Sequence, residues 1–148
     1  MSRDFNKNKV AVLTGAAKKI GRSTAIKLAE QGFNILIHTG GKSIEEAKDT
    51  IKLLEKFKIQ SNYVTGDLAN LETINIIKDA ALKLGTPSVL VNNAGLRIHE
   101  HFEKINYKDW KKVMTVNVDA SFLCAQALIT YMVKQKWGRV INIGGLSA

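Results

Sequence analysis

Short apolar segments rich in β-branched residues alternate along this chain with longer segments of helical periodicity. The first is Lys9–Leu13, and Gly21–Gln31 follows with apolar residues at helical spacing up to Gly32, a residue type that commonly ends helices. Parallel strands joined by helices need right-handed crossovers, which cover both faces of one sheet. Because the alternation runs through all 148 residues without a linker or repeat, it predicts a single α/β domain over residues 1–148.

Local signals set the limits of the other elements. The capping box at Ser43–Glu46 begins a helix that continues to about Phe57, and Gly85 with Pro87 closes a helix that begins near Leu71. A long helix is predicted from about Lys108 to Lys136. The predicted strands are Lys9–Leu13, Asn34–His38, Ser61–Val64, Ser88–Val91 and Arg139–Ile143.

The chain is basic, with 22 Lys and Arg against 13 Asp and Glu, a net charge of +9. This excess suits an anionic ligand. Much of it is a solvated helix face, since Lys48, Lys52 and Lys56 recur every four residues. No row of interleaved basic and aromatic residues or zinc-ligand spacing occurs, so neither a nucleic-acid partner nor a metal is expected. The single Cys124, within an apolar stretch, is expected in the core.

The location of the protein is predicted from its apolar segments. No apolar stretch approaches the ~20 residues that span a bilayer. The first residues also lack the apolar core of a signal peptide. We therefore expect a cytoplasmic protein with no membrane partner.

A glycine-containing turn joins the first predicted strand to the first helix. Its sequence, Leu13-Thr14-Gly15-Ala16-Ala17-Lys18-Lys19-Ile20-Gly21-Arg22, is neither the G-x-G-x-x-G fingerprint nor a P-loop. Such a turn exposes backbone N–H groups at the positive end of a helix dipole, which attracts anions. Taken alone, it is a weak signal, because many such turns contain Gly for local reasons.

The fourth predicted strand ends in an unusual way, with Asn92-Asn93-Ala94-Gly95. Asn side chains donate and accept hydrogen bonds, so they can tie neighbouring strand ends together. Ala94 and Gly95 leave the backbone open to a large, flat ligand.

Together the two motifs resemble those of the short-chain dehydrogenase/reductase family, Thr-Gly-x-x-x-Gly-x-Gly and Asn-Asn-Ala-Gly. Gly66-Asp67-Leu68, Thr115–Val118 and Trp137–Ile143 also match family segments in order and spacing. The resemblance implies a Rossmann-type, doubly wound parallel sheet. Five of the family's seven strands are present, in the expected order 3-2-1-4-5, so we expect a truncated or incomplete form of a longer reductase.

The resemblance also implies a dinucleotide site, in which Asn92 braces the neighbouring strand. The residues expected to bind the cofactor are Gly15, Lys18, Lys19, Ile20, Gly21, Lys42, Ser43, Asp67, Leu68, Asn93, Ala94 and Gly95.

The second strand favours NADP(H) over NAD(H). An NAD enzyme would place an acidic residue there for the ribose hydroxyl, and none occurs between Gln31 and Glu45. Lys42 and Ser43 can instead meet a phosphate; the alternative is that Lys42 is an ordinary loop cation and Ser43 only a helix cap. Lys19 stands at the family's middle Gly, as in NADPH-dependent pteridine reductases.

The family's catalytic Tyr-x-x-x-Lys pair does not occur in these 148 residues. Gly145 stands at the position of the family's catalytic Ser, and Ser147 lies two residues later. Asn117 matches the Asn of the family's water relay, or it braces a helix irregularity. The candidate catalytic residues are therefore Asn117 and Ser147.

The leading hypothesis is an NADPH-dependent reductase of small carbonyl-type substrates, homo-oligomeric in its full-length form. The alternative is a catalytically inactive NADP(H)-binding sensor or partner subunit, and a nucleic-acid-binding domain ranks last. The substrate stays open. Arg97, His99 and His101, in the loop after the fourth strand, meet either an acidic or polar substrate or only water.

Overall fold

The alternation of strands and helices is present in the computed structural model, which describes residues 3–145. The strands are β1 (Lys9–Leu13), β2 (Asn34–Thr39), β3 (Ser61–Thr65), β4 (Thr86–Asn92) and β5 (Arg139–Asn142). The helices are α1 (Lys19–Glu30), α2 (Ile44–Leu54), α3 (Leu71–Leu84), α4 (Tyr107–Met114) and α5 (Ala120–Lys134), with a π-helical turn, Thr115–Asp119, between the last two.

All five strands form one parallel sheet in the order β3-β2-β1-β4-β5, which confirms the predicted order. In its centre, Val12 of β1 lies opposite Leu36 of β2 on one side and Leu90 of β4 on the other. The carboxyl ends of the strands therefore meet at one edge, and the chain order reverses at β1.

Side chains of β1 alternate between two hydrophobic cores, as the period of a strand requires. Ala11 and Leu13 belong to the core beneath α1 and α2. Val10 and Val12 belong to the core beneath α3 and α5, where Cys124 is also buried. Burial raises the pKa of the Cys124 thiol to about 11, as expected of an inert core residue.

Two elements, α1 and β4, begin two residues before their predicted starts. Helix α1 begins at Lys19, before the predicted Gly21. Strand β4 begins at Thr86 and includes Pro87, which was expected only to close the preceding helix. The register between β1 and β4 shifts beside Val10, next to Pro87, at the kind of irregularity where a sheet tolerates proline.

The capping box predicted at Ser43 does not form. Its side chain makes no cap hydrogen bond, because a 3₁₀ turn, Gly41–Ser43, precedes α2 and holds Ser43 at φ −127° and ψ 36°. The Glu46 carboxylate, which would complete the box, instead accepts a hydrogen bond from Lys18 Nζ at 2.9 Å. A tertiary ion pair has replaced the local cap.

The long predicted helix is continuous but not uniform. At the π-helical turn, Ala120 N–H donates to the Thr115 carbonyl, five residues back. The turn joins α4 and α5 into one helical run, Tyr107–Lys134. By length and composition alone this run is long and apolar enough to cross a membrane, contrary to our expectation. One such run is weak evidence for a span, since core helices of globular domains pass the same test. Ala120, Cys124, Leu128 and Met132 of this run pack in the core.

A buried polar cluster joins α1 to α2. Thr50 is fully buried, and its hydroxyl accepts from Arg22 Nε at 2.7 Å and lies 2.8 Å from the Ala17 carbonyl oxygen. Arg22 Nη2 donates to the carbonyls of Ala17 and Glu46, both at 3.0 Å. The turn after β1 is thereby fixed to α2.

Strand β5 forms an open edge of the sheet. Among the described residues it pairs with β4 alone, and all four of its residues are exposed. Ile141 is 43% exposed, and Phe122, Ile129 and Val133 of α5 add exposed apolar surface. Unpaired strand edges bordered by apolar side chains favour association between chains.

Replacing Ile141 by Lys should therefore weaken self-association, because a charge on the edge strand opposes pairing with another copy. Sedimentation velocity over a concentration series measures the change. Ile76→Lys is the matched control, since Ile76 of α3 is also 43% exposed but lies on a helix. Equal effects of the two substitutions would contradict a specific role for the β5 edge.

Thr50→Val should lower the free energy of unfolding by about 1–3 kcal/mol, because it removes a buried hydroxyl and leaves Arg22 Nε without that acceptor. Chemical denaturation measures this loss. Thr24→Val is the control: Thr24 bonds only the Ile20 carbonyl on the exposed side of α1, and we expect a change below about 0.5 kcal/mol.

Candidate cofactor-binding site

The ends of β1 and β4 are fastened together by four hydrogen bonds. Thr14 Oγ1 accepts from the backbone N–H groups of Asn93 and Ala94, both at 3.1 Å. Asn93 Nδ2 donates in return to the carbonyls of Thr14 at 3.1 Å and Gly15 at 2.8 Å. The polar groups at both strand ends are thus paired with one another, and the two predicted motifs form one structure.

Two glycines allow this close approach. Gly15 has φ +61°, and a Cβ there would lie 2.7 Å from Ala94 Cα. A Cβ on Gly21 would lie 2.5 Å from Ala16 Cα and 2.9 Å from Asn93 Nδ2. Only glycine fits at either position. The turn therefore presents bare backbone at the N-terminus of α1, as a phosphate cradle requires.

A cavity of about 660 Å³ opens at the carboxyl ends of the strands, where the order of the sheet reverses. Ligands of open α/β sheets bind in such crevices. The predicted cofactor residues on its wall are Gly15, Lys18, Lys19, Ile20, Gly21, Lys42, Asp67, Leu68, Asn93, Ala94 and Gly95.

Ser43 is the predicted cofactor residue that the structure does not bring to this wall. The 3₁₀ turn before α2 gives the wall Gly40, Gly41 and Lys42 instead. Ser43 N–H donates to the Gly40 carbonyl at 3.2 Å, which closes the turn. A role for Ser43 as a direct phosphate ligand is therefore not supported by its position.

Four lysines give the cavity a positive wall: Lys18, Lys19, Lys42 and Lys112. Lys18 also contacts α2, since its Nζ forms an ion pair with Glu46 Oε1 at 2.9 Å. The hydrogen bond from Lys18 lowers the pKa of Glu46, so this carboxylate stays charged. Lys19 has φ +51°, a left-handed conformation that suits the Gly found there in the family motif.

His38 and Gly66 line the same cavity but were not predicted as site residues. The buried His38 ring donates from Nε2 to the Gly66 carbonyl at 3.0 Å. Desolvation lowers the pKa of His38, which keeps the ring neutral. A Cβ on Gly66 would lie 2.5 Å from Thr73 Oγ1. His38 thus ties β2 to the segment that carries Asp67. The sequence feature that could have identified His38 is a polar residue near the end of an apolar strand.

Asn117 lies in the π-helical turn and clamps the loop after β4. Its Oδ1 accepts from Leu96 N–H at 2.7 Å, and its Nδ2 donates to the Leu96 carbonyl at 2.9 Å. Asn117 thus joins the π-helical turn to the loop after β4, an arrangement compatible with the predicted water relay, which stays a prediction. Ser147, the other candidate catalytic residue, lies outside the described residues.

Asn92 braces the neighbouring strand, as predicted. Its Nδ2 donates to Asn142 Oδ1 of β5 at 2.9 Å. Lys112 and Val116, from the helical run after β4, also line the cavity. Within residues 3–145, no group of three His, Cys, Asp or Glu side chains is placed to hold a metal ion.

Comparisons with known proteins agree with this geometry. The family model for short chain dehydrogenases matches residues 9–148. FabG, a 3-oxoacyl-[acyl-carrier-protein] reductase of Staphylococcus epidermidis, is 35% identical over 142 residues, covering 92% of this chain. The chain spans 56% of the length of that reductase.

Two solved structures share the fold. Acetoin dehydrogenase YohF from Salmonella typhimurium has a TM-score of 0.88 at 35% identity, covering 94% of this chain and 55% of that one. A metagenomic short-chain oxidoreductase in complex with NADP has a TM-score of 0.85 at 26% identity, covering 96% of this chain and 64% of that one. The fastened motifs, the sheet order and these matches lead to one conclusion: the chain belongs to the short-chain dehydrogenase/reductase family.

Proposed function

We propose that the crevice binds NADP(H) and that the protein serves the reduction of small carbonyl-type substrates. The observation that carries this proposal is the cradle at Gly15 and Gly21, where a side chain would collide with Ala94 or Ala16. The donor set fits a dinucleotide, with backbone N–H groups at a helix N-terminus for the pyrophosphate and lysines for a further phosphate. The reductase relative and the NADP-bound neighbour support the same assignment.

Each part of the cofactor has residues suited to hold it. The turn from Gly15 to Gly21 would hold the pyrophosphate, and Asn93 to Gly95 would pass along the ribose. Asp67 and Leu68 would hold the adenine; the Asp67 carboxylate is oriented by accepting from Ala69 N–H at 3.0 Å. When bound, the dinucleotide supplies the hydride for the carbonyl carbon, while an acid supplies the proton for its oxygen.

The lysines favour NADP(H) over NAD(H) in this proposal. Lys19 and Lys42 lie on the wall beside the end of β2, where an NAD enzyme would place an acidic residue. A phosphate monoester gains charge-assisted hydrogen bonds from such side chains, whereas a ribose hydroxyl gains much less.

A second candidate is cofactor binding without turnover, in a sensor or partner subunit. Gly145, which stands at the family's serine position, favours it. Cofactor titration tests both candidates, and turnover of a carbonyl substrate separates them.

Assembly and location are part of the same proposal. The apolar side chains exposed on α5 and β5 would be buried between the subunits of a homo-oligomer. A reductase that uses NADPH is expected in the cytoplasm. The exposed face of α5 would then pack against a second copy rather than lipid.

Lys42→Ala should weaken NADPH binding about tenfold and leave NADH binding nearly unchanged, because one charge-assisted hydrogen bond to phosphate is lost. Isothermal titration with each nucleotide measures the two affinities. Lys52→Ala on the solvated face of α2 is the control and should change neither. Parallel losses for both nucleotides would show that Lys42 does not distinguish them.

Lys19→Gly should raise the free energy of unfolding by about 1 kcal/mol while weakening NADPH binding, because glycine relieves the left-handed strain but carries no charge. Thermal denaturation and titration of the same samples measure the two effects. Lys58→Gly is the matched control: Lys58 has φ +56° at the end of a 3₁₀ turn away from the cavity, so only its stability should rise. An unchanged NADPH affinity in Lys19→Gly would remove Lys19 from the site.

A further inference from the structure

A second hollow, of about 350 Å³, lies beside the cofactor cavity. Its walls are largely apolar, with Ile98, Ile105, Trp110 and Val113 among them, and Arg97 supplies a basic side chain. Both hollows include Leu96, so they are neighbours along the loop after β4. A volume near the lower end of ligand pockets suits a small molecule.

The backbone beside Arg97 is held in place. The Asn117 amide makes both hydrogen bonds to Leu96, at 2.7 Å and 2.9 Å, so the residue before Arg97 is fixed to the π-helical turn. This clamp limits the positions from which the Arg97 side chain can extend.

The Arg97 side chain lies close to Gly145, a residue without a side chain of its own. Gly145 stands where the family has its catalytic Ser, and the nearest atom to a Cβ built on Gly145 is Arg97 Nη2, at 3.9 Å. Its chain neighbours aside, no other atom of the described residues lies within 4 Å of that Cβ. The guanidinium therefore lies beside the position from which a serine side chain would extend.

The chemistry of the two donors differs. A serine hydroxyl donates one hydrogen bond, whereas a guanidinium presents parallel N–H groups in a planar fork and is always charged. Such a fork matches two oxygens side by side. Asp109 lies on the same wall, and its carboxylate accepts from Asn106 Nδ2 at 2.8 Å. The lining thus contains one acidic and one basic side chain, whose formal charges sum to zero, and this suits a neutral ligand.

We propose that Arg97 replaces the serine hydroxyl as hydrogen-bond donor to the substrate, and that it selects neutral carbonyl compounds with a second oxygen on the adjacent carbon. This inference rests on the proposed reductase function, because it names the substrate class of that site.

Two ketones of similar size test the inference: 1-methoxypropan-2-one carries the second oxygen and pentan-2-one lacks it. Ligand-observed NMR on the full chain with saturating NADP⁺ gives a dissociation constant for each. We expect about fivefold tighter binding of the methoxy ketone, consistent with one added hydrogen bond. Arg97→Leu should remove that preference, and Lys52→Leu should keep it.

A double variant supplies the internal control. Arg97→Leu with Gly145→Ser restores one donor, so both ketones should bind equally and more tightly than in Arg97→Leu alone. An unchanged preference in Arg97→Leu would overturn the inference. NADPH titration of every variant separates the failures. Equal binding of the two ketones by the unmodified chain, or an unchanged preference in Arg97→Leu, refutes only the role of Arg97 when NADPH binding is intact, whereas no NADPH binding by the unmodified chain refutes the proposed function.

Discussion

The hydrogen bonds between Thr14 and the segment Asn93–Ala94 hold the carboxyl ends of β1 and β4 side by side. Everything at the carboxyl edge of the sheet is positioned relative to this pair. The glycine turn approaches Ala94 so closely that Gly15 tolerates no Cβ, and Gly21 is confined by the Asn93 amide. Were the two strand ends free to separate, the backbone N–H groups of the turn would lose their common direction. The cradle therefore depends on polar pairing between β1 and β4 rather than on the glycines alone.

Most of the fold could be predicted because its signals are local. Apolar β-branched runs and helix-ending glycines specify the strands to within one or two residues, and the sheet order followed from the family resemblance. The failures arose where a tertiary contact competed with a local signal. The capping box at Ser43 does not form because a 3₁₀ turn precedes α2 and Glu46 pairs with Lys18 instead. Strand β4 extends through Pro87 because an irregular register tolerates proline there.

The site was predictable to the extent that its residues lie in the turns at strand ends. The motifs around Gly15, Asp67 and Asn93 are of this kind, and their residues share one cavity. Lys112 and Val116 reach the same wall only because the helical run after β4 folds back across the crevice, which no local pattern specifies. His38 was missed for a related reason: its partner, the Gly66 carbonyl, lies in the segment after β3, 28 residues further along the chain.

The π-helical turn has a consequence for the helix that contains it. A π-helical turn contains one extra residue. Compared with a regular α-helix over the same residues, the part that follows the turn is therefore rotated by about 100° around the axis. The part before the turn carries Trp110 and Val113 to the small hollow, while the part after it directs Ala120, Cys124 and Leu128 into the core. The helical run is thus divided into two segments whose apolar side chains face different parts of the molecule. A regular α-helix over the same residues would turn both sets of side chains toward one face, and either the pocket or the core would then lose its side chains.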